Sequence, residues 1–132
     1  IKSGVFRGGG RIFGPIPRSY SFKLNKGQKR LARRSALSQK IAEGSLTVVE
    51  NFVFDAPRTK DFIQVLDGLG LNNKKSLFVL GESNNNVYLS SRNLRGADVI
   101  TNSGLSTYKI LNATNVVLLE GSLEGIQENL SK

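Results

Sequence analysis

The sequence predicts a three-layer α/β domain with a mainly parallel sheet of about four strands, preceded by a basic extended limb. Short apolar runs at 46–50, 76–81, 98–101 and 116–120 alternate with helical patterns. The runs are largely continuous rather than alternating in polarity, which is typical of strands that are buried on both faces. A parallel sheet between two helical layers buries its strands in this way. The length of 132 residues suits one such domain.

Residues 1–23 precede this domain and are predicted to form an extended limb without regular structure. The glycine run at 8–10 frees the backbone, whereas Pro15 and Pro17 disfavour a helix. No apolar pattern within the limb predicts a core. We therefore expect residues 1–20 to be mobile when no partner is bound. The globular domain is assigned to residues 24–132.

A helix is predicted over residues 25–43, ended by Gly44. One side of this helix carries small and apolar residues, namely Leu31, Ser35, Ser38 and Ala42, with Ile41 at its edge. Another side carries cations at helical spacing, namely Lys26, Lys29, Arg30, Arg33 and Lys40. We expect the small residues to pack closely on a neighbouring element, which leaves the cations as a candidate binding surface.

An amphipathic helix is predicted over residues 59–70, after the first apolar run. Thr59 is its predicted N-cap and Gly70 its predicted stop, because each residue type is favoured at the respective helix end. The apolar residues of this segment recur at helical spacing. The side chains predicted to enter the core are Phe62, Ile63, Leu66 and Leu69.

Three further helices are predicted between and after the later apolar runs. Residues 85–96 predict a helix, although the three Asn residues at its start weaken the pattern. A shorter helix is predicted over 106–113, with Ser106 as its cap. A last helix is predicted over 122–130. In the first of these helices, the side chains predicted to face inward are Val87 and Leu94.

The cationic residues are concentrated at the start of the chain. The net charge is +9, but residues 1–40 carry eleven Lys and Arg and no acid, whereas residues 41–132 carry eight bases and ten acids. A surface that serves only solubility would mix both signs, so a solubilising tail is the weaker interpretation. The asymmetry indicates a polyanion or an anionic surface as partner.

Cys, His and Met are absent, and these absences limit the chemistry. Without Cys there are no disulfides or thiolate metal sites, and without His the commonest general base and metal ligand are missing. Because position 1 is not Met, we expect the chain to be part of a longer protein that continues N-terminally. No apolar run approaches the roughly 18 residues that span a bilayer, and the start of the chain lacks the apolar block of a secretory signal.

Motifs for nucleotide binding and catalysis are incomplete. Phe13 stands where the dinucleotide fingerprint requires its third glycine, and no Gly-Lys pair exists for a P-loop. Ser106 and Lys109 have the Ser-x-x-Lys spacing of some serine acylases, but a helix cap with a solvated lysine explains them more simply. Glu82 and Glu120 end two strands, where a metal could bind, yet solvated strand ends are the simpler interpretation. We therefore expect no enzyme.

The basic start of the chain favours RNA binding. Phosphate neutralisation dominates nucleic-acid affinity, and uncompensated bases in this number can engage on the order of 6–10 phosphates. Aromatic side chains that could stack on bases are interleaved with them, namely Phe6, Phe13, Tyr20 and Phe22. Tyr20 and Phe22 have an alternative role as core residues where the limb meets the domain. A membrane-surface helix fits less well, because residues 26–40 lack a wide apolar face.

A long and unusual motif occupies residues 6–40, FRGGGRIFGPIPRSYSFKLNKGQKRLARRSALSQK. The motifs PRTKDF, NVYLSSRNL and LSTYKIL follow in that order. By these motifs the chain resembles the bacterial branch of the universal large-ribosomal-subunit protein four family over essentially its whole length. Phe6 stands where the family commonly has Trp, and Ile16 and Gly27 stand where it commonly has a base. These departures weaken one stacking contact and remove two phosphate contacts.

The resemblance implies a Rossmann-like α/β domain on the outer surface of the large ribosomal subunit. It also implies that residues 1–20 are the returning limb of a long loop that threads into large-subunit RNA and lines the constriction of the exit tunnel. Family chains extend further at the N-terminus, with a first strand, a first helix and the rest of that loop. The family binds early during subunit assembly, and in some bacteria it regulates its own operon.

We therefore expect a structural constituent of the large ribosomal subunit in the cytoplasm, which binds large-subunit ribosomal RNA and neighbouring ribosomal proteins. No membrane, small-molecule substrate, metal, cofactor or homo-oligomer is expected. The alternative is a vestigial nucleotide-binding α/β enzyme with a basic arm. The residues expected to contact RNA are Lys2, Phe6, Arg7, Gly8, Gly9, Gly10, Arg11, Phe13, Arg18, Tyr20, Lys23, Lys26, Lys29, Arg30, Arg33, Arg34 and Lys40.

Overall fold

The computed structural model describes residues 2–131, in which helices and strands alternate as the apolar pattern predicts. The strands are β1 (Leu46–Val49), β2 (Ser76–Leu80), β3 (Ala97–Thr101) and β4 (Asn115–Leu119). The helices are α1 (Lys26–Ala42), α2 (Thr59–Gly68), α3 (Asn85–Arg92), α4 (Thr107–Asn112) and α5 (Leu123–Ser131). Single 3₁₀ turns occupy Asn102–Gly104 and Glu120–Ser122.

The four strands form one parallel sheet in the order β1-β4-β2-β3. The last strand lies between the first two, so that Val117 of β4 pairs with Thr47 on one side and with Phe78 on the other. Five helices within residues 2–131 accompany this sheet. The architecture is a three-layer, Rossmann-like α/β fold, which confirms the predicted fold class.

Two apolar layers enclose the sheet. All five residues of β2 are buried, and because successive side chains of a strand point to opposite faces, they alternate between the two layers. Leu77 and Val79 pack with residues of α1, α4 and α5. Phe78 packs with residues of α2 and α3, and its ring centroid lies 5.1 Å from that of Phe62 in an edge-on arrangement. This double burial explains why β2 and β4 are continuously apolar, whereas the edge strand β1 leaves Thr47 and Val48 exposed.

Helix α1 packs on the domain with a different side from the one predicted. Its buried residues are Ala36, Leu37 and Lys40. The predicted packing side faces solvent instead, with Leu31 66% and Ile41 64% exposed. At about 100° per residue, Lys40 shares a side with the buried Leu37. The prediction fails because a lysine stem can be buried while its ammonium group reaches a polar partner.

Smaller differences concern helix ends and one core position. Thr59 is the first helical residue of α2 rather than its N-cap, and the cap residue Arg58 makes no side-chain capping bond. Ile63 is partly exposed, whereas Phe62 and Leu66 are buried as predicted. Helix α3 is shorter than predicted and ends at Arg92.

The Asn residues at the start of α3 strengthen that helix end rather than weaken it. The Asn84 side-chain oxygen accepts hydrogen bonds from the backbone N–H groups of Asn86 and Val87, at 3.0 and 3.3 Å. These bonds satisfy two donors that the first helical turn would otherwise leave without a partner. The predicted cap of α4 is confirmed, because Ser106 Oγ accepts a bond from Lys109 N at 3.3 Å.

Candidate nucleic-acid interface

The arm, which comprises residues 2–25, contains no helix or strand. Its first part nevertheless turns back on itself, because three backbone bonds connect it internally. Phe6 N donates to Ser3 O at 3.0 Å, Gly9 N to Phe6 O at 3.0 Å, and Gly10 N to Lys2 O at 2.9 Å. Residues 2–10 therefore form a closed turn instead of the extended backbone that was predicted.

The glycines in this turn have a steric role. Gly8 adopts a φ of 69°, a left-handed conformation that side chains rarely take. At Gly9, a Cβ atom would overlap the carbonyl oxygen of Ser3. The glycine run thus permits the backbone to close on itself, and the turn presents Phe6 and Arg7 between its hydrogen-bonded ends.

The aromatic side chains of the arm all face solvent. Phe13 is 99% exposed and Tyr20 is 77% exposed, and Phe6 and Phe22 are exposed as well. Neither Tyr20 nor Phe22 enters the core, so their alternative role as core residues is wrong. The guanidinium carbon of Arg18 lies 4.4 Å from the centroid of the Tyr20 ring, within cation–π distance. Exposed rings of this kind offer stacking surfaces that the fold itself does not use.

The cations of the arm continue onto the first half of α1. We call the following ten residues the basic surface: Lys2, Arg7, Arg11, Arg18, Lys23, Lys26, Lys29, Arg30, Arg33 and Arg34. Arg30 and Arg33 are half-buried and the others are exposed. Arg33 Nε donates to the carbonyl of Lys29 at 3.3 Å. Within residues 2–131, none of the ten forms an ion pair with a carboxylate, so their charge is available to an external anion.

Lys40 does not belong to this exposed surface. It is only 8% exposed, and its Nζ lies 3.5 Å from the carbonyl oxygen of Thr114 and 3.7 Å from Glu43 Oε2. These contacts attach the end of α1 to the loop before β4. Lys40 therefore positions the helix, and its placement with the exposed cations was wrong.

The carboxyl ends of β1, β2 and β4 form a cavity of about 350 Å³, where a nucleotide would be expected in the alternative function. Two of the polar side chains there are used by the fold. Asn51 Oδ1 accepts a bond from Gly121 N at 3.1 Å, and Asn84 caps α3. The loops after β2 and β4 are in contact, because a Cβ on Gly81 would overlap the Gly121 carbonyl oxygen. Both glycines line the cavity.

The remaining candidate chemistry has structural explanations. Lys109 Nζ lies 2.8 Å from Asp98 Oδ2, and Ser106 caps α4, so the Ser-x-x-Lys pair is accounted for by an ion pair and a helix cap. Glu82 and Glu120 are exposed strand-end residues. Residues 2–131 contain no cluster of three His, Cys, Asp or Glu side chains that could hold a metal ion. In the same residues, no helix combines the length and apolarity needed to cross a bilayer.

Comparison with known proteins identifies the chain's relatives. The profile of the ribosomal protein L4/L1 family matches residues 1–129. The large ribosomal subunit protein uL4 of Flavobacterium psychrophilum is 72% identical over 131 residues, which cover 99% of this chain and 63% of that protein. The uL4 proteins of Flavobacterium johnsoniae and Bacteroides thetaiotaomicron are 67% and 55% identical, over 100% and 98% of this chain.

The chain spans somewhat less than two thirds of the length of these relatives, with 63% of the Flavobacterium proteins and 62% of the Bacteroides protein covered. The family profile nevertheless matches almost every residue of the chain, including the arm and all elements of the sheet. The match and the identities agree with the resemblance inferred from the motifs at 6–40. The chain belongs to the ribosomal protein L4/L1 family.

Proposed function

We propose that this chain is a structural component of the large ribosomal subunit that binds large-subunit ribosomal RNA through the arm and the first half of α1. One observation carries this proposal. The basic surface presents ten cations that no carboxylate within residues 2–131 neutralises, and exposed aromatic rings are interleaved with them. The names of the relatives, which are large-subunit proteins, support the same assignment.

The proposed mechanism is positional rather than catalytic. Lys and Arg side chains of the basic surface neutralise phosphates, which supplies most of the affinity and little sequence preference. Exposed rings such as Phe13 and Tyr20 stack on unpaired bases, which RNA loops can expose. The closed turn at 2–10 lets RNA approach the backbone, because the glycine run carries no side chains.

The wider role follows from family membership and is part of the proposal. In the ribosome, which bacteria hold in the cytoplasm, the α/β domain anchors α1, and α1 directs the arm into the RNA near the nascent-peptide exit tunnel. Neighbouring ribosomal proteins and RNA are the partners, and the protein contributes to subunit assembly. No nucleotide is assigned to the cavity at the strand carboxyl ends, because two of its polar side chains, Asn51 and Asn84, already make hydrogen bonds within the fold.

A salt titration tests the proposal. The chain is bound to large-subunit ribosomal RNA of Flavobacterium johnsoniae, and affinity is measured from about 50 to 200 mM KCl. In the variant Lys26→Gln/Lys29→Gln, two exposed cations are lost, so the slope of log affinity against log salt should fall by about 1.4–1.8. Gln has a helix propensity close to that of Lys, so the helix should be retained.

The matched control is Arg58→Gln/Lys60→Gln, which removes the same charge from the region of α2. This control should leave the salt slope close to that of the wild-type chain. Equal slopes for all three proteins, or an affinity that does not depend on salt, would contradict the proposal. Saturable micromolar binding of a nucleotide at the strand carboxyl ends, measured by calorimetry, would favour the enzyme alternative.

A further inference from the structure

We propose that the α/β domain carries a second surface that binds RNA phosphates, separate from the basic surface. It lies at the end of the sheet where the parallel strands begin, which we call the amino edge. We call this surface the amino-edge patch and define it as Lys74, Lys75, Arg95 and Tyr108. This inference rests on the proposed function, because the patch binds the same RNA. It assigns a second segment of that RNA to the end of α1 that lies opposite the arm.

The turn before β2 fixes the position of the two lysines. Lys74 N donates to Leu71 O at 3.1 Å, and Asn73 takes a φ of 61°, a left-handed conformation that Asn tolerates better than most residues. The carbonyl of Lys75 accepts two bonds, from Thr114 N at 2.7 Å and from Asn115 N at 3.0 Å. The backbone of both lysines is therefore held by the fold, while their side chains are exposed.

Parallel pairing of β2 and β3 brings Arg95 to the same place. Ser76 N donates to Gly96 O at 2.7 Å, which joins the residue after Lys75 to the residue after Arg95. A Cβ on Gly96 would lie 3.3 Å from the carbonyl oxygen of Lys74 and 3.8 Å from the Cα of Lys75. The backbone of Arg95 thus lies beside that of Lys74 and Lys75, although Arg95 follows them by about twenty residues in the sequence.

The charge of the amino-edge patch is not balanced locally. Neither of the segments that form it, 71–76 and 92–97, contains an acid, and Arg92 adds a further exposed cation. The nearest acid in sequence is Asp98, whose carboxylate already pairs with Lys109 at 2.8 Å. The patch is notable because the domain as a whole is not basic: residues 41–132 carry eight bases and ten acids. A local excess of cations in such a domain indicates an anionic partner.

An aromatic side chain and a cavity accompany these cations. Tyr108 is 75% exposed and lies on the opposite side of α4 from Ile110, which is completely buried. Together with Lys75, Gly96 and the Asp98–Lys109 ion pair, it lines a cavity of about 300 Å³. A flat ring beside cations matches an unpaired base flanked by phosphates, since bases stack on exposed rings regardless of sequence. An acidic protein segment would match the cations but would leave this ring without a role.

The two cationic surfaces lie at opposite ends of α1. The last turn of α1 reaches the amino edge, where Lys40 Nζ contacts the carbonyl of Thr114 and Thr114 N in turn donates to Lys75 O. The arm joins the other end of this 17-residue helix, about 25 Å away. A chain with RNA-binding groups at both ends of a rigid helix can hold two RNA segments at a fixed separation.

The test compares matched pairs of substitutions by RNA binding and by footprinting. The variant Lys74→Gln/Lys75→Gln is bound to large-subunit ribosomal RNA of Flavobacterium johnsoniae, next to the control Arg58→Gln/Lys60→Gln. We expect the salt slope of the patch variant to fall by about 1.4–1.8 and its affinity to fall roughly tenfold or more at low salt, while the control changes neither. Hydroxyl-radical footprinting should show one protected RNA segment lost while the segment protected by the arm remains.

The inference is overturned if Lys74→Gln/Lys75→Gln binds RNA and protects it from cleavage as the control variant does. The patch would then be assigned to a protein partner. Failure of the proposed function gives a different result, because then Lys26→Gln/Lys29→Gln would leave the salt slope unchanged. If the salt dependence of affinity falls only in Lys74→Gln/Lys75→Gln, the inference is supported and the assignment of the basic surface is contradicted. Circular dichroism of each variant shows whether the fold is retained.

Tyr108 provides a measurement that does not depend on charge. If its ring stacks on a base, Tyr108→Leu should weaken RNA binding about tenfold without changing the salt slope, because no phosphate contact is removed. The control is Tyr88→Leu, since Tyr88 is also exposed but lies on α3 beside the strand carboxyl ends. Equal affinities for the two variants would remove the aromatic part of the proposal.

Discussion

Strand β2 buries all five of its residues, whereas the arm exposes every aromatic side chain that it contains. The two regions therefore obtain their structure from different sources. Apolar burial on two faces organises the domain, and the free energy for it is intrinsic to the chain. The arm has local contacts, such as the backbone hydrogen bonds at 2–10 and the stacking of Arg18 on Tyr20, and an excess of cations. The domain is thus organised by apolar contacts within the chain, whereas the proposed function predicts that most of the arm is shaped by bound RNA.

The largest expected effect comes from a pair of phenylalanines, one in each region. Phe78 is completely buried between β2 and the α2–α3 layer, so Phe78→Ala should lower the free energy of unfolding by about 3–5 kcal/mol. Phe13→Ala should change it by less than about 0.5 kcal/mol, because Phe13 is exposed. Urea denaturation followed by circular dichroism measures both. A comparable loss from Phe13→Ala would show that the arm contributes to the core.

An intermediate effect is expected at Lys40, where α1 connects the two regions. Lys40→Ala removes a buried stem and leaves the Thr114 carbonyl without its ammonium partner, which should cost about 1–3 kcal/mol of unfolding free energy. Its RNA salt slope should stay unchanged. Lys26→Ala should show the reverse, with unchanged stability and a slope lower by about 0.7–0.9. If both variants behaved alike, the division of α1 into an anchoring half and a binding half would be incorrect.

The smallest effect on stability is expected within the closed turn. A Cβ at Gly9 collides with the Ser3 carbonyl, so Gly9→Ala should open the turn and shift the amide resonances of residues 2–10 in NMR spectra. The free energy of unfolding should change by less than about 0.5 kcal/mol, because the turn makes no hydrogen bond to the domain. Gly27→Ala, at a position with open space around it, is the control that should leave these resonances in place.

The strands and most of the helices could be predicted because burial leaves a periodic trace in the sequence. The packing side of α1 could not, since Ala36, Leu37 and Lys40 form a buried stripe that hydropathy alone ranks below the side with Leu31 and Ile41. A lysine is usually exposed, and only the position of the Thr114 carbonyl shows why this one is not.

The two cationic regions also differ in how far the sequence alone predicts them. The basic surface was evident because its residues all lie within residues 2–34, where the sequence contains no acid. The closed turn within it was not, because backbone hydrogen bonds between residues 2 and 10 leave no side-chain pattern. The amino-edge patch was also missed, because Lys74 and Arg95 become neighbours only through the pairing of β2 with β3. The sequence signal that could have indicated the patch is the pair Lys74 and Lys75 before one apolar run and Arg95 before the next.

The strand order has a consequence for synthesis on the ribosome. In the described part of the chain, β1 and β2 do not pair with each other, and β4, the last strand to be made, lies between them. β2 can already pair with β3, but β1 pairs only with β4 in the described residues, so the four-stranded sheet is complete only when residues 115–119 have left the translating ribosome. The arm emerges roughly a hundred residues earlier than β4. A nascent chain thus exposes its cations before its sheet is complete, and under the proposed function these cations meet RNA before the protein has finished folding.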